Sequence, residues 1–294
     1  MDPHVSIVIP VYQDQPGLNR CLEALSSQVE IDLADVEVIV VDNGHTPEIG
    51  ISQDFPFSVQ LLWCDKKGAY AARNVGRRAA KGDVLVFIDA DCWPDRHWLR
   101  AGLAALMPMG EPIVVGGNVL FQRNPVPSAV ELYQILMGFG QERSIKDLHF
   151  SATANLFVAR DLFEKVGDFN EELLSGGDRE WSWRAINSGA EIRYAPDAII
   201  WTSPRRTLRS AIIQARRVAG GRRVLGDDQD IVRNVGLERI QPSGTISGKL
   251  KSIFLGNDMS VWQRCRVFCV AIVIRLVHDL EVIRLRMGGK PERR

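Results

Sequence analysis

The sequence predicts an α/β fold: a mostly parallel, open sheet flanked by helices, with a helical extension at the C-terminus. Short apolar runs alternate with segments of helical periodicity in the first half of the chain. Several of these runs end abruptly in polar residues, as buried strands of parallel sheets do. A basic segment and a long amphipathic segment follow. We expect residues 1–205 to form a single domain and residues 206–294 to form the extension.

The first elements alternate strictly. Residues 5–10 read as a strand, followed by a helix with Leu18, Cys21, Leu22 and Leu25 on one face. A second strand ends in Asp42-Asn43-Gly44, and a third ends near Lys66-Lys67-Gly68. An alanine-rich helix then leads to the buried strand 84–88, which runs directly into Asp89-Ala90-Asp91. Strand and helix in alternation favour a parallel sheet.

Later elements are mixed. We expect strands within residues 112–121 and 149–160, a helix over 128–140, and a helix that starts at Gly176-Gly177. One or two strands follow within residues 191–204. A basic helix is predicted over 205–223 and an amphipathic helix over about 260–287, separated by a polar loop or linker at 226–248.

Composition restricts the function classes. Lysine plus arginine equal aspartate plus glutamate at 36 each, so no global basicity indicates a nucleic-acid partner. The five cysteines form no CxxC pair, which favours reduced thiols in the cytoplasm, and Cys265 and Cys269 are interpreted as packing residues. The N-terminus does not resemble a signal peptide, and the longest apolar run, 267–274, is far shorter than the roughly 20 residues that span a bilayer.

Asp89 and Asp91 are the first candidate site. If strand geometry persists, both side chains emerge on the same side, where two bare carboxylates raise one another's pKa. Such a pair implies a shared proton, a basic partner or a hard cation. The same spacing recurs at Asp228 and Asp230 in a polar stretch, so spacing alone does not decide. Ligands of open α/β sheets bind at strand carboxyl ends, where Asp42 also lies.

Five segments in order resemble the family 2 glycosyltransferases, inverting GT-A enzymes that use a nucleotide-diphosphate sugar: "VSIVIPVYQ", "VIVVDNG", "KGAYAARNVGRRAAKGDVLVFIDADCWP", "ATANLFVAR" and "GGDREWSWR". The resemblance covers about residues 5–205. It implies a nucleotide site, a carbohydrate or lipid-linked acceptor, and Mg²⁺ or Mn²⁺ held by Asp91 and Asp89. The nucleotide-binding residues that it implies are Pro10, Val11, Tyr12, Asp42, Lys67, Gly68, Arg73, Asn74 and Asp89.

The resemblance also implies a general base. In the family this is the aspartate of a Glu-Asp pair that opens a helix; here the match is Gly177-Asp178, so Asp178 is the candidate and the glutamate is missing. We expect the helix macrodipole to keep this carboxylate ionised. Thr202 stands where many relatives have a histidine, which implies weaker metal binding. Acceptor-side or secondary roles fall on Glu180, Arg184, Asn155 and Arg205.

Simpler structural interpretations stand beside these roles. Asp178 can be a helix cap, and Asp42 can be part of a turn. Glu180 and Arg184 can form an ion pair on one helix, and we prefer this interpretation for Glu180. The alternative enzyme class is a sugar nucleotidyltransferase. Such an enzyme is expected to have a Gly-rich phosphate loop after the first strand, and this sequence has none there. The rival from another class is a catalytically silent module that binds nucleotide sugars.

The C-terminal helices have two interpretations each. Seven arginines without an acidic residue in 205–223 indicate either a solvated face or an anionic membrane surface, which predicts a cytoplasmic protein peripheral to the membrane. The last helix can lie in the membrane interface or form a homodimer.

Overall fold

The structure is a computed structural model that describes residues 4–44, 48–51, 53–226 and 259–290. The strands are β1 Val5–Val11, β2 Val36–Asp42, β3 Ser58–Trp63, β4 Val84–Ile88, β5 Cys92–Pro94, β6 Ile113–Phe121, β7 Asn155–Ala159 and β8 Glu191–Thr202. The α-helices are α1 Gln15–Ser26, α2 Ala69–Ala79, α3 Trp98–Ala105, α4 Ala129–Met137, α5 Gln141–Leu148, α6 Arg160–Val166, α7 Gly177–Asn187, α8 Leu208–Gly226 and α9 Val261–Arg286.

These strands form one sheet in the order β3-β2-β1-β4-β7-β6-β8-β5. Strand β1 pairs in parallel with β2 and β4, and β2 pairs in parallel with β3. Strand β7 is antiparallel to both β4 and β6, and β5 is antiparallel to β8. The predicted α/β class, with flanking helices and a C-terminal helix, is confirmed. The antiparallel half was not anticipated, because hydrophobic periodicity identifies strands without giving their direction.

Helix α1 illustrates how local sequence sets an element. The Asp14 side chain accepts a hydrogen bond from the Gly17 N–H at 3.0 Å, and Pro16 occupies the first turn, where its missing N–H costs nothing. The predicted face is buried in the main core, beside the strands that it covers: Leu18, Cys21, Leu22 and Leu25. Capping and periodicity therefore agree.

Two predicted helices differ from the observed ones. The helix expected over 128–140 ends at Met137, because Gly138 and Gly140 have φ of +64° and +82° and break the helical path. Helix α5 starts beyond the expected range and was not predicted. The basic helix starts at Leu208, so Arg205 and Arg206 precede it. For Arg222 and Arg223 only the backbone is described.

Residues 227–258 lie outside the described part, and with them Asp228, Asp230 and most of the predicted loop at 226–248. The five cysteines are free, as predicted. Cys265 and Cys269 are exposed, however, so the interpretation of both as packing residues is wrong. No helix in the described ranges combines the length and apolar character needed to cross a bilayer.

The chain divides into two compact units. The first consists of Met1–Leu120, Gln141–Glu172 and Gly177–Thr202, and contains the sheet up to Leu120. The second consists of Phe121–Gly140, Leu173–Gly176 and Ser203–Arg294, and contains α4, α8 and α9. The predicted division at residue 205 stays a prediction.

Candidate active site

The carboxyl ends of three neighbouring parallel strands form the rim of the candidate site. Strand β1 lies between β2 and β4, and Val11 is in register with Asp42. Val11 is buried, Pro10 is half-buried, and the side chain of Tyr12 projects into solvent, with 61% of the residue exposed. An exposed aromatic ring at the end of a central strand is available to stack on a planar ligand.

Asp42 shapes the loop that follows β2. Its Oδ1 accepts a hydrogen bond from the Gly44 N–H at 2.8 Å, and its Oδ2 accepts one from the Ile49 N–H at 3.3 Å. The turn interpretation is therefore confirmed. Each carboxylate oxygen has a further lone pair, so these bonds leave acceptor capacity, and the ribose role stays a prediction.

Asn43 was missed by the sequence analysis, which treated it only as part of a turn. Its Nδ2 donates to the carbonyl oxygens of Cys64 (3.0 Å) and Lys66 (2.8 Å), and its Oδ1 accepts from the Gly68 N–H at 2.7 Å. One amide therefore fixes the loop that leads into α2. Gly68, at the N-cap of α2, has φ of +134°, which favours glycine. Lys67 is exposed beside it.

Asn74 lies inside the first unit, and its polar atoms are engaged there. Its Nδ2 donates to the Phe169 carbonyl and to Glu171 Oε1, both at 2.9 Å, and its Oδ1 accepts from the Phe169 N–H at 3.0 Å. The residue is 1% exposed. Asn74 therefore ties α2 to residues 169–171, so a role in nucleotide binding through this side chain would be indirect.

Arg73 and Asp89 form an ion pair at the centre of the site, between Arg73 Nη2 and Asp89 Oδ1. The Arg73 side chain is 6% exposed, whereas that of Asp89 is 36% exposed. The Asp89–Asp91 spacing implied a shared proton, a basic partner or a cation, and for Asp89 the structure shows the basic partner. The Nε of Arg73 is buried and finds no acceptor among the described residues. Its guanidinium carbon lies 5.5 Å from the centroid of the Tyr70 ring.

The strand does not continue through Asp91. Strand β4 ends at Ile88, and the Cys92 N–H donates to the Asp89 carbonyl at 3.0 Å, which closes a tight turn. The condition for placing both carboxylates on the same side, that strand geometry persists through Asp91, is therefore not met. Asp91 is exposed at the turn. Thr202 Oγ1 donates to the Asp91 carbonyl oxygen at 3.3 Å, so this residue supports the turn.

The donor set limits how a metal can bind. Among the described residues there is no group of three or more His, Cys, Asp or Glu side chains that could hold a metal ion. An exposed carboxylate such as Asp91 fits Mg²⁺ or Mn²⁺ only when phosphate oxygens and water complete the shell, which is the usual arrangement for Mg²⁺ at phosphate substrates.

Asp178 lies in the first turn of α7, beside the Arg73–Asp89 pair. Its Oδ1 accepts hydrogen bonds from the Arg179 N–H at 2.9 Å and the Tyr70 hydroxyl at 3.4 Å. Burial of the carboxyl group raises its pKa, although the Arg179 amide and the charge of Arg73 act in the opposite direction. Desolvation thus outweighs the helix terminus in setting the direction of the pKa shift, and the expectation that this carboxylate is ionised stays a prediction.

Tyr70 is the second residue that the sequence analysis missed. A Cβ at Gly177 would lie 2.8 Å from ring atoms of Tyr70, so the ring fills the space above this glycine. Burial, followed by the nearby charge of Asp178, raises the pKa of Tyr70, so its hydroxyl stays protonated and can donate.

Glu180 and Arg184 form a bidentate ion pair, which confirms the preferred interpretation. Arg184 Nε donates to Glu180 Oε1 at 2.5 Å, and Nη2 donates to Oε2 at 3.1 Å. Arg184 also donates to the carbonyl oxygens of Val166 (2.6 Å) and Asp168 (2.7 Å). The pair anchors α7 to the loop after α6. Acceptor roles for the two residues stay predictions.

Asn155 joins several strands from within the core. It is fully buried and lies opposite Ile88 in the β4–β7 ladder. Its Oδ1 accepts from Trp98 Nε1 at 2.8 Å, and its Nδ2 donates to the carbonyl oxygens of Asn118 and Ala198, both at 2.9 Å. These bonds engage the amide oxygen and both amide hydrogens, so Asn155 supports the strand end that carries Asp89.

Arg205 belongs to the second unit and is not among the side chains that the first unit brings together. Its Nε donates to Gln214 Oε1 at 3.0 Å, and its N–H donates to Gln134 Oε1 at 2.6 Å. The acceptor-side or secondary role of Arg205 stays a prediction.

Comparison with known proteins decides the family. The profile described as "Glycosyl transferase family 2" matches residues 6–167, which include the rim, the Arg73–Asp89 pair and the Asp91 turn. The chain belongs to glycosyl transferase family 2. Asp178 lies beyond the matched range.

Curated relatives of this family 2 chain carry glycosyltransferase names. Glycosyltransferase AglE of Haloferax volcanii is 37% identical over 67% of this chain and 66% of its own length. The pre-mycofactocin glycosyltransferase of Mycobacterium tuberculosis is 30% identical over 71% of this chain and 44% of its own. The chain thus spans slightly less than two thirds of the first relative and under half of the second.

Solved structures show the same fold at low identity. Mannosyltransferase PcManGT of Pyrobaculum calidifontis, solved with GDP-Man and Mn²⁺, matches with a TM-score of 0.57 and 18% identity over 96% of this chain and 84% of that one. GalNAc-T7, solved with UDP, GalNAc and Mn²⁺, matches with a TM-score of 0.51 and 17% identity over 74% of this chain and 48% of that one.

Proposed function

We propose that this family 2 chain transfers a sugar from a nucleotide-diphosphate donor to an acceptor hydroxyl with inversion at the anomeric carbon. One observation carries the proposal. A carboxylate with a raised pKa, Asp178, lies beside the buried Arg73 and the half-buried Asp89 at the carboxyl ends of the parallel strands. Catalytic bases work best when their pKa approaches the working pH, and this environment moves an aspartate in that direction.

Asp178 is the proposed general base. As the acceptor oxygen attacks the anomeric carbon, its proton passes to the Asp178 carboxylate, while the bond between that carbon and the diphosphate oxygen breaks. The electron pair of that bond leaves with the nucleoside diphosphate. Tyr70, which donates to the same carboxylate, orients it toward the acceptor. A positioned base of this kind contributes about 10²–10⁴ in rate.

The rim is the proposed donor site. Tyr12 offers an exposed ring to the nucleobase, and Asp42 offers acceptor oxygens to the ribose. The loop that Asn43 fixes brings Lys67 and Gly68 to the phosphates. Asp91 would hold Mg²⁺ or Mn²⁺ together with diphosphate oxygens; when bound, such a cation stabilises the negative charge of the leaving group. Both structural neighbours named above contain Mn²⁺, which supports a divalent ion.

We specify the acceptor less narrowly than the donor. A carbohydrate or a lipid-linked sugar presents the hydroxyl that the proposed reaction needs. A cytoplasmic location and a homodimer through α9 remain predictions. The names of relatives support sugar transfer without naming the acceptor for this chain.

The test combines binding and turnover for one substitution. Asp178→Asn keeps the shape of the side chain, so we expect donor binding to remain and turnover to fall by about 10²-fold or more. Asp161→Asn is the matched control, since Asp161 is an exposed aspartate in the first turn of α6. Calorimetry with GDP- and UDP-sugars measures binding, and release of the nucleoside diphosphate measures turnover.

Two outcomes would contradict the proposal. Undiminished transfer by folded Asp178→Asn removes Asp178 as the base. Donor binding by the wild-type protein without turnover on any acceptor favours the catalytically silent module.

A further inference from the structure

An exposed apolar stripe runs along the whole of α9. Its members are spaced three or four residues apart and lie on one face: Trp262, Cys265, Cys269, Ile272, Leu276, Leu280, Ile283 and Met287. The large ones are between 42% and 78% exposed. A helix of 26 residues is about 39 Å long, so the stripe forms a continuous apolar edge of that order. Monomeric proteins rarely expose apolar surface over such a length without a partner.

The opposite face of α9 already has its packing partners within the second unit. Val270 packs with Val130 of α4 and Ala211 of α8, and Val267 packs with Leu132 of α4. Leu285 and Glu281 are buried further along the same face. The stripe is therefore a second apolar face, separate from the one that stabilises the unit.

Arginines border the stripe. Helix α9 contains five arginines, one aspartate and one glutamate. Arg266, Arg275 and Arg286 are exposed, and Arg275 also pairs with Asp279 at 2.5 Å. An apolar face with cationic borders is typical of helices that lie in the interface of an anionic bilayer, where the long side chains reach phosphate groups.

A cavity adjoins the N-terminal end of the stripe. It has a volume of about 430 Å³ and lies between the start of α4 and α9. Trp262, Cys265 and Cys269 of the stripe form one wall, Ala129, Val130 and Val270 add apolar surface, and Arg206 and Arg266 supply positive charge. The Arg206 Nε lies 3.7 Å from Oε1 of the buried Glu131, and because 77% of the Arg206 side chain is exposed, a phosphate would have to share this guanidinium with Glu131. Two arginines beside an apolar wall match a phosphate attached to a hydrocarbon chain.

We propose that the second unit binds the surface of an anionic lipid bilayer, with the stripe of α9 in the interface and a lipid phosphate between Arg206 and Arg266. The alternative occupant is a second copy of the chain. A regular heptad seam that continues past Leu276 would contain Asp279 and Arg286, because the stripe shifts to Leu280 and Met287. Pairing of two copies would also bring arginine-rich borders together, whereas an anionic surface attracts them.

The test is co-sedimentation of the full chain with vesicles of phosphatidylcholine alone or mixed with phosphatidylglycerol. We expect binding to the mixed vesicles, weaker at high salt. Leu276→Gln with Leu280→Gln should lower the partition coefficient about tenfold or more. Leu61→Gln is the matched control, since Leu61 is 41% exposed on strand β3. Met287→Gln, at a residue 78% exposed beyond the last helical turn, repeats the test without touching packed residues.

Charge is tested separately. Arg206→Gln with Arg266→Gln should reduce the preference for phosphatidylglycerol about fivefold for each arginine, whereas Arg100→Gln, an exposed arginine of α3, should not. Vesicle binding needs neither donor nor acceptor, so it is independent of the proposed transfer. Indifference to lipid charge, or wild-type binding by the stripe variants, overturns the proposal. A dimer in sedimentation velocity that the stripe variants dissolve, without any vesicle binding, assigns the stripe to a second copy instead.

Discussion

The ring of Tyr70 lies directly on Gly177, where a Cβ would be 2.8 Å from two ring atoms. The hydroxyl of the same ring lies 3.4 Å from Asp178 Oδ1. Residues far apart in the sequence are thus in contact. The glycine makes room for the ring, and the ring hydroxyl reaches the carboxylate. Gly177, which stands where the resemblance implied a glutamate, is therefore packed against a tyrosine of α2.

Gly177→Ala tests this match. The added methyl group must displace the buried Tyr70 ring, so we expect a loss of about 1–3 kcal/mol in the free energy of unfolding. Combining it with Tyr70→Ala should cost less than the sum of the two single changes, because the ring that clashes is gone. Urea unfolding of the four proteins measures the coupling. Additive losses contradict direct packing of the two residues.

The acid limb of the pH–rate profile reports on Asp178. A general base must be ionised, and burial raises the pKa of this carboxyl, so kcat/KM should rise with pH through a midpoint above that of an ordinary aspartate. Tyr70→Phe removes a donor that favours the ionised form, so the limb should move to higher pH. Initial rates across pH for both proteins check this. If the acid limb of Tyr70→Phe lies at the same pH as that of the wild type, Tyr70 does not influence the pKa of the base.

Stability should depend on pH through the same carboxyl. Its pKa is raised in the folded state, so the folded protein binds this proton more tightly than the unfolded chain does. The carboxyl therefore lowers stability progressively as pH rises from the ordinary aspartate pKa through the raised one. Asp178→Asn should be at least as stable as wild type at neutral pH, with an advantage that shrinks in acid. Thermal melts of the wild type and Asp178→Asn across this pH range make the comparison, and melting temperatures that stay a constant distance apart would contradict the raised pKa.

Asp91 should govern metal-dependent binding of a nucleoside diphosphate. Asp91→Ala removes the exposed carboxylate at the turn, and we expect the gain in affinity that Mn²⁺ gives to fall about tenfold or more. The control is Asp228→Ala, from the second Asp-x-Asp sequence. Titration of GDP and UDP with and without Mn²⁺ makes the comparison, and equal effects of the two changes would contradict the assignment.

The sequence predicted what local pattern determines. Asp42 and Asp89 end buried apolar runs, and a glycine pair precedes Asp178, so each position followed from its neighbours. Tyr70, Asn43 and the turn at Asp91 did not follow. Asn43 acts on residues 64–68 and Tyr70 on 177–178, and such long-range contacts leave no periodic signal. The direction of the Asp178 pKa shift also required the burial that only the fold supplies.

The Arg73–Asp89 ion pair affects which anionic ligands the candidate site can bind. Before any donor arrives, the guanidinium is already occupied by a tethered carboxylate, whose effective concentration no small anion in solution matches. An incoming phosphate must exchange with this intramolecular competitor, and only a ligand that also contacts the rim offsets the exchange. We therefore expect inorganic phosphate to displace a bound nucleoside diphosphate poorly, and Asp89→Asn to make the site less discriminating toward simple anions.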